Sequence, residues 1–169
     1  ARNPAYFRYL ELCGEGVSIV IGDGRQMLSR GPDNQYDLLV LDAFSSDAIP
    51  VHLMTREAIE LYLQKLSDTG IAIFHISNQY VHLAPVLANL ATEMGLHARM
   101  QAYAPNPQEV KRGAFESDWL VISRSPDDLS LLDGDSRWKT LSSQPNQGIW
   151  TDDYSNIFGA LIWERLLWQ

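Results

Sequence analysis

Two stretches of the chain are apolar almost without interruption and are bounded by turn residues. Tyr36-Asp37-Leu38-Leu39-Val40-Leu41-Asp42 and Gly70-Ile71-Ala72-Ile73-Phe74-His75-Ile76-Ser77 have the length of strands and lack a clean period of two. That is the pattern of strands covered on both faces by helices in a parallel sheet, and the first is expected at its centre. A shorter β-branched run, Val17 to Ile21, is closed by Gly22-Asp23-Gly24 and followed by one or two helical turns from Arg25 to Arg30. It predicts a strand, a tight turn and a helix. Ala5 to Leu10 reads as part of a helix and Ala43 to Met54 as a loop. Thr55 can cap a helix running to about Leu66, with Leu53, Ile59, Leu63 and Leu66 on its buried face. A further helix is expected from about Tyr80 to Met94, stopped by Gly95. His97 to Tyr103 and Trp119 to Ser123 suit a closing antiparallel hairpin, with a polar loop from Pro105 to Ser117 between them. A small helix near Asp127 to Leu132 and a last one from about Asn156 to Trp168 complete the pattern.

Strands alternating with helices imply an α/β fold with a doubly wound, mostly parallel sheet. In such sheets ligands sit outside the carboxyl ends of the strands, and Asp23, Asp42 and Asp47 fall there or just beyond. The 169 residues suffice for one core, so a single domain over residues 1–169 is expected. A net charge of −8 argues against a partner held mainly through a phosphate backbone, so no nucleic acid is expected. It would suit a small cation such as a polyamine. Cys13 is the only cysteine, which rules out an internal disulfide and a Cys-based zinc site and fits a cytoplasmic setting. His52, His75, His82 and His97 lack metal-ligand spacing, and no metal is expected. No apolar run approaches the roughly 20 residues that cross a bilayer. The tryptophans read as core or interface anchors.

Read together, Gly22-Asp23-Gly24-Arg25, Tyr36 to Pro50, His75-Ile76-Ser77-Asn78 and Thr151-Asp152-Asp153-Tyr154-Ser155-Asn156 resemble the spermidine synthase-like family. The nearest likeness is to a bacterial branch in which this domain follows a membrane-embedded, transporter-like segment. The resemblance runs from about Asn3 to about Ala160. It implies the sheet of S-adenosylmethionine-dependent transferases, here lacking the first two strands and the Gly-rich turn that holds the cofactor. The chain opens at Ala1 without an initiator Met and is expected to be a piece of something longer.

The same resemblance implies site roles. Asp42 would be the catalytic acid, taking a proton from the attacking amine. Asp23 would accept from an adenine amino group, with Gly22 and Gly24 leaving room for the base. Equally, Gly-Asp-Gly reads as a turn whose Asp23 caps the following helix. Asp47 would hold an ammonium, although its five-residue gap from Asp42 and the following Ala48-Ile49-Pro50 depart from the family pattern. Asp152, Asp153 and Tyr154 could add to a polyamine groove; alternatively, one of the two acids or Ser155 caps the last helix.

The expected reaction is aminopropyl transfer from decarboxylated S-adenosylmethionine to a diamine such as putrescine, weak or absent in this piece alone. Alternatives are methyl transfer from S-adenosylmethionine and a non-catalytic ligand-binding or assembly domain. Without its usual neighbours, the Tyr36–Asp42 strand would leave an apolar edge. A displaced first strand, another copy of the chain in a homo-oligomer, or further residues of the parent would then have to cover it.

Overall fold

The computed structural model describes Tyr6 and residues 8–13, 16–43, 50–78, 80–144 and 148–163. The chain forms two compact units, Ala1–Gly31 and Pro32–Gln169.

The first unit contains α1 (Tyr9–Leu12) and α2 (Gly24–Ser29). Asp23 is the extended N-cap of α2, and its carboxylate accepts from Gln26 N at 2.9 Å. Gly22 has φ +150°, and a Cβ there would lie 2.9 Å from Met27 Cγ, so both its conformation and its space call for glycine. Val17 to Ile21, expected as a strand, is not one, and its apolar side chains are exposed. β-branched residues favour a strand when there is a pleated, half-buried surface to pack on, and side chains this exposed lack one.

The second unit carries a five-stranded sheet in the order β1-β2-β4-β3-β5, formed by β1 (Tyr36–Leu41), β2 (Leu66–His75), β3 (His97–Tyr103), β4 (Ser117–Ser123) and β5 (Trp138–Thr140). β1 and β2 are parallel, whereas β4 lies antiparallel between β2 and β3, and β5 runs antiparallel to β3. Three strands, β1 to β3, therefore run the same way. The α/β class and the closing β3–β4 hairpin are both present. The apolar run of β1 suggested a central strand and the resemblance an apolar edge; among the described residues it is the edge, laddered only to β2, with Leu38 49% and Val40 53% exposed. The middle place belongs to β4, where Leu120, Val121, Ile122 and Ser123 are all buried. A continuous apolar run states how much cover a strand needs, and the topology decides which strand receives it.

Between β1 and β2 lies α3 (Arg56–Lys65), whose N-cap Thr55 accepts from Ala58 N at 3.2 Å. Its Ala58, Ile59 and Tyr62 are buried, and the helix packs on β2. Leu53 and Leu66 join that core as expected. Lys65 is also buried, with its ammonium donating to Asp33 Oδ1 at 2.6 Å. Arg124 gathers the end of the helix, donating to the carbonyl oxygens of Leu63 and Ser67, which satisfies acceptors that a helix terminus leaves open. Between β2 and β3, α4 (Leu83–Glu93) buries Leu83, Val86, Leu87 and Leu90 and is stopped at Gly95, φ +68°. Expected loop 105–117 holds a short helix, α5 (Pro107–Lys111). Asn106 and Glu109 close a capping box around Pro107, a start signal that the surrounding polarity obscured. Residues 126–132 form a 3-10 helix and α6 spans Ile157–Ala160; the helix expected from about Asn156 to Trp168 is interrupted at Leu161–Ile162, and its part beyond Trp163 lies outside the described residues. No helix among the described residues is long and apolar enough to cross a membrane.

The β1–β2 register shifts between Tyr36 and Leu38. Opposite the shift, a Cβ at Gly70 would stand 2.8 Å from the Tyr36 carbonyl oxygen and 3.0 Å from Leu66 Cβ. Backbone cannot yield there as a flexible side chain could. Gly70→Ala is therefore expected to destabilise the protein by about 1–3 kcal/mol, read as a lower denaturation midpoint in urea. An unchanged midpoint would mean that the strands can move apart without cost.

Candidate active site

The parallel register of β1 and β2 pairs Leu41 with Phe74, so the next residue of each chain, Asp42 and His75, emerges level at the carboxyl end of the sheet. Asp42 Oδ1 lies 2.7 Å from His75 Nδ1. An ionised carboxylate can only accept, so Nδ1 carries the hydrogen. On the other side of the ring, His75 Nε2 lies 2.7 Å from Ser77 Oγ. A neutral imidazole protonated at Nδ1 accepts at Nε2, which makes the Ser77 hydroxyl the donor. Ser77 Oγ in turn accepts from Asp118 N at 2.8 Å. One directed chain thus runs from the Asp118 amide through Ser77 and His75 to Asp42.

The imidazole is also held from its face. Trp119 is the cross-strand partner of His75 in the β2–β4 ladder, and the two rings stack with centroids 4.6 Å apart and planes inclined by 19°. Such cross-strand ring pairs restrict both side chains. Exposure falls inward along the pair: the Asp42 side chain is 59% exposed and that of His75 is 24% exposed. The carboxylate meets solvent while the ring behind it is mostly covered.

Beside this chain opens a cavity of about 790 Å³, lined among others by His75, Ser77, His82, Tyr103, Glu116 and Asp118. Partial burial and then the Glu116 charge raise the Asp118 carboxyl above its ordinary value, while His75 and His82 offset part of the rise. Burial disfavours the charged carboxylate and a like charge adds to that.

The other residues expected in a site fall elsewhere. Gly22, Asp23 and Gly24 belong to the first unit, where Asp23 caps α2 and a Cβ at Gly24 would meet nothing within 4 Å. Asp47 lies outside the described residues. Asp152 does not cap the last helix, which Asn156 caps. Its Oδ1 instead accepts from Thr55 Oγ1 at 2.7 Å, and its amide donates to Glu57 Oε2 at 2.9 Å, tying the 151–154 turn to the start of α3. Asp153 and Tyr154 are exposed on that turn, and Tyr154 N donates to Thr151 Oγ1 at 3.1 Å. His75, Ser77 and Trp119 were not expected as site residues. For two of them a signal was available, because His75 and Ser77 sit two apart at the end of a strand adjacent to the one that ends in Asp42.

The solvent-facing carboxylate and the imidazole behind it stand at the carboxyl ends of adjacent parallel strands, the place where α/β sheets generally bind ligands. No family model matches the chain. The polyamine aminopropyltransferase of Vibrio vulnificus is 39% identical over 66 residues, covering 36% of this chain and 22% of that protein. The polyamine aminopropyltransferase of Korarchaeum cryptofilum is 25% identical over 108 residues, covering 62% of this chain and 33% of that protein. These two sequence matches agree with the spermidine synthase-like resemblance carried by the motifs. The chain therefore spans a third or less of the length of these two relatives. Among solved structures, a probable spermidine synthase from Corynebacterium glutamicum aligns with TM-score 0.49 at 15% identity, over 75% of this chain and 49% of that one. MNMC2 from Aquifex aeolicus aligns with TM-score 0.42 at 14% identity, over 69% and 35%.

The raised Asp118 carboxyl has a consequence for stability. Because the folded state holds this proton more tightly than the unfolded state, stability falls as pH rises from the ordinary value of 3.8 through the raised one. Asp118→Asn is expected to remove that part of the pH dependence and to be more stable than the parent at neutral pH. Thermal melts of both proteins between pH 3 and pH 7, at about half-unit steps, check this. Parallel profiles would mean that Asp118 is solvated like an ordinary surface acid.

Proposed function

We propose that the chain is part of an aminopropyltransferase, moving the aminopropyl group of decarboxylated S-adenosylmethionine to a small diamine, with Asp42 as the base. The observation that carries this reading is the Asp42 carboxylate, exposed at the end of β1 with one oxygen taken by His75. Two relatives named polyamine aminopropyltransferase support it, and a net charge of −8 favours the approach of a cationic acceptor.

The chemistry asks for an acceptor near the amine. At neutral pH a diamine is protonated, and only the free amine has a lone pair to offer. The second Asp42 oxygen would hold the ammonium by charge and take its proton as attack begins. The nitrogen lone pair then forms a C–N bond at the methylene next to the sulfonium. The C–S bond breaks with its electron pair going to sulfur, so methylthioadenosine leaves as a neutral thioether. The donor supplies the electrophilic carbon and the leaving group; the residues of this chain handle only charge and protons.

Further roles belong to the same reading. In the first unit, Asp23 would accept from an adenine amino group beside the open face of Gly24. Asp47 and Asp153 would contribute negative charge toward the acceptor, and Tyr154 would line the same groove. Asp152 has its carboxylate engaged by Thr55 and would act through the position of its turn.

The test uses the longest available form of the protein with both donors, decarboxylated and intact S-adenosylmethionine, and putrescine as acceptor. Aminopropyl transfer is expected, and Asp42→Asn is expected to lower kcat by about 10²–10⁴-fold. Methyl transfer without aminopropyl transfer would replace this reading with that of a methyltransferase. An Asp42→Asn protein that keeps its full rate would remove Asp42 from the chemistry. A companion pair separates the two roles of Asp23: Asp23→Ser keeps a helix cap but should weaken donor binding as much as Asp23→Ala does.

A further inference from the structure

We infer that His75 is a positioning residue for Asp42, locked by Ser77 and Trp119, so that a single carboxylate oxygen is presented to the acceptor amine. The inference rests on the reading of Asp42 as the base. The resemblance implies no role for His75.

A carboxylate at the end of a strand turns freely about its last torsion, and each orientation offers the amine a different oxygen in a different place. Here Oδ1 is engaged by His75 Nδ1–H at 2.7 Å. The ring cannot follow a rotating carboxylate, because Ser77 holds Nε2 at 2.7 Å and Trp119 covers one face at 4.6 Å. Ser77 is itself fixed, since its oxygen accepts from the Asp118 amide at 2.8 Å and that amide belongs to β4, whose Ile122, Val121, Leu120 and Trp119 ladder with β2. With the imidazole neutral, the bonds share one direction, from the Asp118 amide through the Ser77 hydroxyl and His75 to Asp42. The geometry therefore leaves Oδ2 as the oxygen that is free to accept, at a position set by the sheet.

The same order of groups, acid, imidazole and hydroxyl, would also suit a nucleophilic serine. Two observations favour the positioning role. Ser77 is at the interior end of the chain, between His75 and a backbone amide, while the exposed end is the carboxylate. The nearby amides of Tyr80 and Val81 donate to Asn78 Oδ1 at 2.9 and 3.0 Å and so are not offered to an oxyanion, which such catalysis requires.

The experiment has a kinetic arm and a spectroscopic arm. In the kinetic arm, His75→Ala is expected to lower kcat for aminopropyl transfer by about 10–100-fold, as a misplaced reacting group does, with the putrescine KM changed by less than about threefold. His75→Gln, which keeps an N–H donor for Asp42, should recover part of the loss. A kcat within about twofold of the parent in a folded His75→Ala protein overturns the inference, as does a Gln variant no better than Ala. In the spectroscopic arm, ¹⁵N NMR of the parent should find His75 protonated at Nδ1, and Asp42→Ala or Ser77→Ala should turn this into a mixture of tautomers. A mixed or Nε2-protonated ring in the parent overturns the inference. If the parent shows no aminopropyl transfer, the proposed function falls, and the tautomer measurement alone decides whether His75 holds Asp42. If His75→Ala does not fold, the Gln variant and the parent spectrum carry the test.

Discussion

The parallel ladder between β1 and β2 is the constraint on which the candidate site depends. It pairs Leu41 with Phe74, and because the pairing is parallel the residues that follow them, Asp42 and His75, stand level and come within one hydrogen bond of each other. A slip of one residue would turn one of the two side chains to the opposite face of the sheet. What holds the register is local: the Gly70 backbone against Tyr36, the buried Lys65 on Asp33, and the backbone bonds from Asn34 N to Gln64 O and Gln35 N to Lys65 O. These join the segment before β1 to the end of α3, so the strand enters the sheet from a fixed point.

The antiparallel strand β4 adds the second half of the arrangement. By inserting between β2 and β3 it carries Trp119 and the Asp118 amide to the end of β2. Its Leu120 to Ser123 are buried while β1 keeps Leu38 and Val40 half exposed. The rigid side of the site is therefore the β2–β4 side, and the solvent-facing side is Asp42. This is the distribution that a charged group needs if it is to be oriented by protein yet remain able to meet a ligand from solution.

Much of the framework was legible in the residues. The apolar runs marked β1 and β2, Thr55 marked the start of α3, Gly95 the end of α4, and the alternation of strands and helices marked the α/β class. Some signals were present but outweighed, as when the Asn106-Pro107-x-Glu109 start of α5 was hidden in a polar stretch. Others described a demand without a location. β-branched Val17 to Ile21 and apolar Tyr36 to Leu41 both called for cover, yet the first is not a strand and the second is an edge, because pairing is decided by partners far along the chain.

For the candidate site the division is similar. Asp42 could be singled out from the sequence alone, since its place at the end of an apolar strand is a property of a short continuous segment. The cap formed by Asp23 was equally readable, three residues from its partner amide. The relation of Asp42 to His75, of Ser77 to the Asp118 amide and of Asp152 to Thr55 spans 33, 41 and 97 positions respectively. Contacts of that separation are made by strand order and register, which no local pattern encodes. The sequence by itself determined the elements and nominated the acid; the tertiary structure alone decided which side chain stands behind it, because that choice depends on which strands become neighbours.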